Sequence, residues 1–209
     1  MSRGISKVVQ GFPPRLTPRL IEGGQLWAAC AGDCRLVLAR GDVDGDVTTD
    51  KLKAITVTRD LKVEDPAEAA RLTAAGGQCT PGIDTEEEFE PPRVYEDVSR
   101  RYRGPGLAIS RAVGDMNARS CGVVATPEVS SMQLQPSDCF LILASDGVWE
   151  FISSAEAVEI VRPFFEAEEP ASVACTYLIA KAAYKWREVE GDYRDDISAI
   201  VVYLPLFDD

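Results

Sequence analysis

The sequence predicts an α+β domain in which two β-sheets pack face to face and helices lie on their outer sides. Short apolar runs of strand length outnumber the amphipathic helical segments, and the two kinds of segment do not alternate as in parallel α/β folds. The chain has 209 residues, of which 45% are hydrophobic, enough to bury one core. We therefore expect one main domain over residues 25–206, preceded by an irregular lead-in over residues 1–24.

The first predicted element after the lead-in is a β-hairpin. Two apolar runs, QLWAACAG and CRLVLAR, are separated by Gly32 and Asp33. A glycine between two short apolar runs is typical of a tight turn, so we expect the two strands to pair with each other.

Three helices are predicted from caps and periodicity. Residues 65–75 begin with Asp65 in N-cap position and Pro66 in the first helical position, and they end at Gly76. The segment SSAEAVEIVRPF has a serine cap followed by Glu156, and ASVACTYLIAKAAYKW has apolar residues at i, i+3 and i+4 spacing.

Three further strands and one flap complete the predicted domain. The segments GVVATPEVSSMQL and DCFLILAS are apolar and bounded by Pro127, Pro136 and Asp146, which predicts two buried strands. The segment ISAIVVYL predicts a last strand. Residues 80–105 are rich in Pro, Gly and Glu, so we expect a surface loop or flap there.

One acidic stretch resembles a calcium-binding loop only superficially. In GDVDGDVTTDK, over residues 41–51, Gly45 is the fourth residue counted from Asp42, whereas an EF-hand loop needs its glycine at the sixth position. We therefore expect a solvated loop.

The composition excludes several classes of function. The net charge of −12 argues against sequence-independent nucleic-acid binding, which needs clustered Lys and Arg. No run approaches the ~20 apolar residues of a membrane span, and the N-terminus has no apolar signal-peptide core. Six cysteines without a CxxC pair predict reduced thiols in the cytoplasm or nucleus. We expect a monomer that contacts neither nucleic acid nor membrane.

Carboxylates must carry any chemistry, because the sequence contains no histidine. This excludes Ser-His-Asp and Cys-His catalysis and every histidine-ligated zinc site. Acidic residues stand at predicted strand ends: Asp33, Asp146 and the pair Asp195 and Asp196. Such carboxylates can converge at one rim of a sheet, where hard cations such as Mg²⁺ or Mn²⁺ would neutralise them. The alternative is that Asp-Gly after a strand is only a turn.

Five blocks, in order, carry a resemblance to a known family. They are LWAACAGDCRLVLAR, RLTAAGG, GLAISRAVGD, TPEVSSMQLQPSDCFLILASDGVWEFIS and DDISAIVVYL, from about residue 25 to residue 204. Together they resemble the successive motifs of PPM-type (type 2C) serine/threonine protein phosphatases. The resemblance implies a β-sandwich flanked by helices in α-β-β-α layers, incomplete at its N-terminal side. It also implies hydrolysis of phosphoserine and phosphothreonine in phosphoprotein substrates by a metal-activated water.

The same resemblance implies four metal-binding residues and assigns no catalytic side chain. Asp146 and Asp195 match aspartates that ligate the family's binuclear Mg²⁺ or Mn²⁺ centre. Asp33 and Glu150 match positions associated with a third, more loosely held metal, although aspartate is the usual residue at the position of Glu150. Asp196 stands where asparagine is commoner. The substrate-binding residues are not identified.

Five other polar or aromatic residues are interpreted as structural. We expect Ser110, Arg111 and Asp115 of GLAISRAVGD to satisfy backbone groups. We expect Trp149 and Trp186 to be packing anchors rather than ligand platforms.

The family's N-terminal portion is not identifiable in this sequence. In the family it contributes an early acidic residue, a phosphate-binding arginine and an Asp-Gly-His motif whose aspartate bridges both metals. We therefore expect a truncated N-terminus. Three hypotheses stay open: a phosphatase that is active once the missing part is supplied, a phosphatase-like binding module without catalysis, and a non-functional fragment.

Overall fold

The computed structural model describes residues 19–22, 24–41, 52–84, 89–99 and 104–204. Apart from Gly41, the predicted solvated loop over 41–51 lies outside these ranges. So do residues 85–88, which hold most of the acidic part of the predicted flap.

The described residues form eleven β-strands and four α-helices. The strands are β1 Arg19–Glu22, β2 Gln25–Cys30, β3 Arg35–Arg40, β4 Lys53–Thr56, β5 Gln78–Cys79, β6 Ile83–Asp84, β7 Phe89–Glu90, β8 Val94–Tyr95, β9 Glu128–Gln133, β10 Asp138–Ala144 and β11 Ala199–Tyr203. The helices are α1 Pro66–Ala74, α2 Asp146–Trp149, α3 Ser154–Glu166 and α4 Ala171–Glu190, with a 3₁₀ helix at Met116–Cys121.

Two antiparallel sheets form the centre of the fold, as predicted for the α+β class. One has the order β11-β10-β3-β4 and the other β1-β2-β9. Because side chains alternate along a strand, Leu141 and Leu143 of β10 belong to the core between the sheets. Phe140, Ile142 and Ala144 belong to the core shared with helices α3 and α4. Strand β10 is buried along its whole length, which confirms the prediction from DCFLILAS.

The prediction that the strands on either side of Gly32 and Asp33 form a hairpin is wrong. Strand β2 pairs with β1 and β9, whereas β3 pairs with β10 and β4. The short turn at Gly32 and Asp33 therefore carries the chain from one sheet to the other. Leu26 of β2 and Leu36 of β3 both belong to the core between the sheets. Two apolar runs with a turn between them look the same in both arrangements.

The helix starts confirm the predicted caps. Asp65 accepts hydrogen bonds from the N–H groups of Ala67 and Glu68 at the start of α1. Ser153 accepts one from Glu156 at the start of α3. None of the helices in the described part of the chain combines the length and apolar character that a membrane crossing requires.

The three-stranded sheet is less buried than the sequence predicts, and it includes a strand that the sequence does not predict. Strand β9 alternates between half-buried and exposed residues and is therefore not a buried strand. On the outer face of this sheet, Trp27 is 46% exposed and Val129 is 59% exposed. Within the described ranges, helices α3 and α4 cover the other sheet only. Strand β1 lies inside residues 1–24, for which no regular element is predicted.

A second apolar cluster lies beside the sandwich. Helix α1 contacts β5, which pairs with β8, and the 3₁₀ helix packs nearby. Leu72, Val94, Ile109 and Cys121 are at the centre of this cluster and are at most 3% exposed. The predicted flap thus contains short paired strands where the structure describes it.

Candidate functional site

The candidate site lies at one end of the four-stranded sheet. Ala144, the last residue of β10, pairs with Arg35 at the start of β3 on one side. On the other side it pairs with Ala199 at the start of β11. Because these strands are antiparallel, the residues just after β10 and those just before β3 and β11 all lie at this end.

Three predicted metal-binding residues are attached to these strand ends, and we call this end of the sheet the acidic edge. Asp146 follows β10 by two residues, Asp33 precedes β3 by two, and Asp195 precedes β11 by four. Asp33 is buried, whereas Asp146 and Asp195 are half-buried. Glu150 lies at the end of α2, where its side chain is exposed.

Ser145 ties together the two loops that carry Asp146 and Asp195. Its N–H donates to the carbonyl of Ser198 at 3.0 Å, and its hydroxyl oxygen accepts from the N–H of Ser198 at 3.1 Å. The same hydroxyl donates to the carbonyl of Asp196 at 3.0 Å. Since Ser145 is only 1% exposed, these hydrogen bonds are shielded from water.

Gly147 allows the two loops to pack closely. A Cβ atom at this position would lie 2.4 Å from the carbonyl oxygen of Asp196. Only glycine therefore fits between Asp146 and Val148 without displacing the segment that leads into β11.

A backbone amide orients each of the two half-buried aspartates. The carboxylate of Asp146 accepts from the N–H of Gly147 at 3.1 Å. The carboxylate of Asp195 accepts from the N–H of Asp196 at 2.7 Å. Each carboxylate is thereby oriented relative to its own loop.

The donor chemistry of the acidic edge suits a hard divalent cation, because it consists of carboxylate oxygens. Within the described ranges, no group of three or more His, Cys, Asp or Glu side chains is arranged to hold a metal ion. The residues present thus fit part of a cation site by their chemistry and location, and they do not form a complete set of ligands.

The model of the family described as protein phosphatase 2C matches residues 17–188 of this chain. The chain belongs to the protein phosphatase 2C family. It is 37% identical over 184 residues to "Probable protein phosphatase 2C 48" of Oryza sativa subsp. japonica, a match over 87% of this chain and 48% of that protein. It is 40% identical over 139 residues to "Probable protein phosphatase 2C 61" of Arabidopsis thaliana, a match over 66% of this chain and 39% of that protein.

A solved structure has the same fold. The serine-threonine phosphatase 2C from Toxoplasma gondii superimposes with a TM-score of 0.74 at 23% identity, over 90% of this chain and 57% of that one. The likeness at this identity concerns the fold. The phosphatase 2C chain described here spans about half, or less, of the length of the two plant relatives.

Arg35 is a residue of this phosphatase 2C chain that the sequence analysis misses. Its guanidinium group donates to both carboxylate oxygens of Asp60, at 3.0 and 2.6 Å, and to the hydroxyl of Ser154 at 3.2 Å. It also lies over the ring of Trp149, 5.3 Å from its centroid. The hydrogen bonds that Arg35 donates to Asp60, together with the nearby charges of Asp60 and Asp33, outweigh the effect of burial and raise the pKa of Arg35 above its ordinary value. The only local feature of the sequence that points to Arg35 is its position two residues after Asp33.

The hydrogen bond of Trp186 is a second contact that the sequence does not predict. Its indole N–H donates to the carbonyl of Gly147 at 2.7 Å, while the indole of Trp149 donates to the carbonyl of Ala144 at 2.9 Å. Both tryptophans are 7% exposed, which confirms that they are packing anchors. Their hydrogen bonds join residues 39 and 5 positions apart, and the first distance is beyond any local pattern.

The acidic residue Glu68 of α1 lies outside the acidic edge. It is 3% exposed and accepts from Arg111 at 2.5 Å and from Arg71 at 2.7 Å. Burial disfavours its charged form, but the hydrogen bonds from Arg111, Arg71 and Ser110 outweigh this effect and lower the pKa of Glu68 from 4.5 to about 2.

A third arginine, Arg59, extends this arrangement to the three-stranded sheet. Arg59 donates to Glu128 of β9 at 2.7 Å and also forms an ion pair with Asp65. We call the six charged residues the arginine network. Its members are Arg59, Asp65, Glu68, Arg71, Arg111 and Glu128.

The structural interpretation is confirmed for Ser110 and Arg111. The Ser110 hydroxyl donates to the carbonyl of Leu61 at 3.0 Å, and Arg111 donates to the carbonyl of Thr126 at 3.2 Å. For Asp115, which precedes the 3₁₀ helix with a φ of 44°, the interpretation stays a prediction.

Proposed function

We propose that this phosphatase 2C chain is part of a metal-dependent enzyme that hydrolyses phosphoserine and phosphothreonine in phosphoprotein substrates. The observation that carries the proposal is the acidic edge, where three strand ends bring Asp33, Asp146 and Asp195 to the same end of one sheet. Membership of the protein phosphatase 2C family supports the class of reaction.

The proposed roles follow from the positions of the carboxylates. Asp146 and Asp195 would hold Mg²⁺ or Mn²⁺, and Asp33 and Glu150 would serve a more loosely held ion. When bound, such ions lower the pKa of a water molecule and neutralise the charge that develops on a phosphoryl group. The amides of Gly147 and Asp196 keep the two main carboxylates oriented before an ion arrives. This preorganisation reduces the cost of ordering them on binding.

Metal binding by this chain is the first test. Wild type should bind Mn²⁺, as measured by the electron paramagnetic resonance signal of the free ion, and Asp146→Asn and Asp195→Asn should each weaken binding at least about tenfold because a ligand charge is lost. Asp192→Asn is a matched control, since Asp192 is an exposed carboxylate of the turn after α4. Equal loss in all three variants would show that the effect is general and would contradict the assignment.

The second test concerns the reaction. A phosphothreonine peptide should be hydrolysed in the presence of Mn²⁺ by the longest natural polypeptide that contains this chain, and Asp146→Asn should remove most of that turnover. If metal-dependent turnover is identical in wild type and Asp146→Asn, the proposed role of Asp146 is wrong.

A binding module without catalysis is the second candidate function. It is favoured by the incomplete set of metal ligands within the described ranges. This candidate predicts peptide binding by the same polypeptide with no release of phosphate at any Mn²⁺ concentration. Metal-dependent phosphate release would eliminate it.

We also propose a reducing location, cytoplasmic or nuclear, and a monomeric state. None of the six cysteines, all of which lie within the described ranges, forms a disulfide. This supports a reducing compartment for a protein of this size. Imaging of a tagged chain and sedimentation velocity would test the two expectations.

A further inference from the structure

One side chain, Trp186 of α4, contacts residues that lie within two positions of three proposed metal ligands. Its indole N–H donates to the carbonyl of Gly147 at 2.7 Å, and Gly147 follows Asp146 directly. Its ring meets the ring of Phe151 edge to face, with centroids 4.8 Å apart. Phe151 follows Glu150.

The third contact reaches the loop of Asp195. The ring of Tyr193 meets the ring of Trp186 with centroids 5.8 Å apart and an interplanar angle of 67°. Tyr193 stands two residues before Asp195 and is 63% exposed, so this contact is made at the surface. Trp186 thus links α4 to the loop of Asp146 on one side and to the loop of Asp195 on the other.

We propose that Trp186 is a positioning residue, which fixes the loops of Asp146 and Asp195 relative to each other at the acidic edge. The inference rests on the proposed function, because it assigns a purpose to the geometry of the two proposed ligands. Trp186 would touch neither substrate nor metal, and it would act through the backbone of Gly147 and the ring of Tyr193.

The backbone of Gly147 explains how Trp186 could restrain the carboxylate of Asp146. Gly147 can adopt a wider range of φ and ψ than any other residue, and close packing against Asp196 demands that it be glycine. A hydrogen bond to its carbonyl from a buried indole removes this freedom. Because the N–H of the same residue holds the carboxylate of Asp146, restraint of Gly147 also restrains that carboxylate.

A neighbouring residue reinforces the contact. The ammonium group of Lys185 donates to the carbonyl of Phe151 at 3.0 Å and pairs with Glu156 at 2.7 Å. Two successive residues of α4 therefore hold two backbone carbonyls on either side of Glu150.

The test uses two backbone amides that report directly on the carboxylates. The N–H of Gly147 donates to Asp146 and the N–H of Asp196 donates to Asp195. Their hydrogen-exchange rates, measured by NMR in metal-free protein, should respond to Trp186→Phe, which keeps a ring and removes the N–H. We expect the Gly147 amide to exchange about tenfold faster, as befits one lost hydrogen bond.

A second variant tests the other side of the contact. Tyr193→Ala should accelerate exchange of the Asp196 amide several-fold and leave the fold intact, because Tyr193 is largely exposed. Tyr184→Ala is its control, since Tyr184 is 59% exposed near the same end of α4. Leu178→Val is the control for Trp186→Phe, since Leu178 is a buried residue of the same helix.

The outcomes separate positioning from packing. Rates are normalised to the amides of β10, which report global opening. If Trp186→Phe leaves the Gly147 amide at its wild-type rate, or if Leu178→Val accelerates it equally, Trp186 does no more than pack, and the proposal is overturned. The same conclusion follows if Tyr193→Ala and Tyr184→Ala have equal effects on Asp196.

A separate measurement distinguishes failure of this inference from failure of the proposed function. Trp186→Phe should weaken Mn²⁺ binding about tenfold, the effect expected when a residue that orients ligands is altered, and Leu178→Val should not. A wild-type chain that binds no Mn²⁺ would contradict the proposed function, and the exchange rates would still decide whether Trp186 positions the two loops. Unchanged Mn²⁺ affinity in Trp186→Phe would overturn the inference.

Discussion

The loops at the acidic edge and the arginine network are held by different kinds of interaction. Neutral donors, namely the Ser145 hydroxyl, the Trp186 indole and backbone amides, join the loops of Asp146 and Asp195. In the arginine network, guanidinium groups meet carboxylates, with Glu68 between two arginines. A site that would receive cations thus gains its rigidity from groups without net charge. Changes of pH and salt should act on the network far more than on these loops.

The largest effect is expected from Glu68→Gln. Removing a buried carboxylate charge leaves Arg71 and Arg111 incompletely paired, and we expect a loss of about 3 kcal/mol in the free energy of unfolding, measured with urea. Glu159→Gln is the control, because the Glu159 side chain pairs with Arg162 at 40% exposure and should matter little. If Glu68→Gln lowers the free energy of unfolding by no more than Glu159→Gln does, the arginine network is not stabilised by buried charge, and the contrast with the loops at the acidic edge is lost.

The pH dependence sharpens the same comparison. The pKa of Glu68 is lowered from 4.5 to about 2 in the folded protein. Its ionised form therefore stabilises the fold above about pH 4.5, and this contribution is lost as pH falls towards 2. Urea unfolding between pH 6 and about 2.5 should show a steeper loss of stability in wild type than in Glu68→Gln. Parallel curves would contradict the lowered pKa of Glu68.

Gly147→Ala tests how tightly the loops pack. The added methyl group would meet the Asp196 carbonyl oxygen at 2.4 Å, so we expect a destabilisation of about 2 to 3 kcal/mol. Gly41→Ala is the control, because the atom nearest to its added methyl group, the carbonyl oxygen of Ser137, would be 3.7 Å away. Similar thermal unfolding of the two variants would mean that the loops can move apart at little cost.

Ser145→Ala measures the neutral hydrogen bonds themselves. The carbonyl of Asp196 and the N–H of Ser198 would lose their partner, and we expect a cost of about 2 kcal/mol that does not depend on salt. Ser130→Ala, which removes one hydroxyl donor from the carbonyl of Val57, should cost about half as much. The measurement is urea unfolding at low and high ionic strength, and a marked salt dependence of the Ser145→Ala cost would break the comparison.

Arg59→Gln should have the smallest effect. The Arg59 side chain is 42% exposed, so its pairs with Glu128 and Asp65 are screened by water. We expect a loss of about 0.5 kcal/mol in stability at low salt, which should fall towards zero in about 1 M NaCl because the Debye length is then short. Persistence of the full effect in 1 M salt would show that the hydrogen bonds, rather than the charges, stabilise this part of the network.

The elements that local patterns define are the ones the sequence predicts correctly. Asp65 and Pro66 mark the start of α1, and the apolar run from Phe140 to Ala144 marks a buried strand. Local patterns do not determine which strand a given strand pairs with. The turn at Asp33 looks the same whether the flanking strands pair or enter two sheets, and only the core between the sheets decides.

The residues of the candidate site also differ in whether a local pattern predicts them. The resemblance to the family predicts a metal-binding role for Asp146 and Asp195 from short motifs, and the sheet register places their strand ends side by side. The hydrogen bond of Trp186 and the contacts of Arg35 escape prediction because they join distant parts of the chain. Packing of α3 and α4 against the sheet creates those contacts, and no local pattern encodes that packing.

The uneven burial of the three tryptophans makes the protein its own optical probe. Trp27 is 46% exposed, whereas Trp149 and Trp186 are 7% exposed and hydrogen-bonded on either side of Asp146. A collisional quencher such as iodide would remove the emission of the exposed indole first. The fluorescence that survives would come from the two indoles beside the carboxylates, so paramagnetic Mn²⁺ could be followed there without any attached dye.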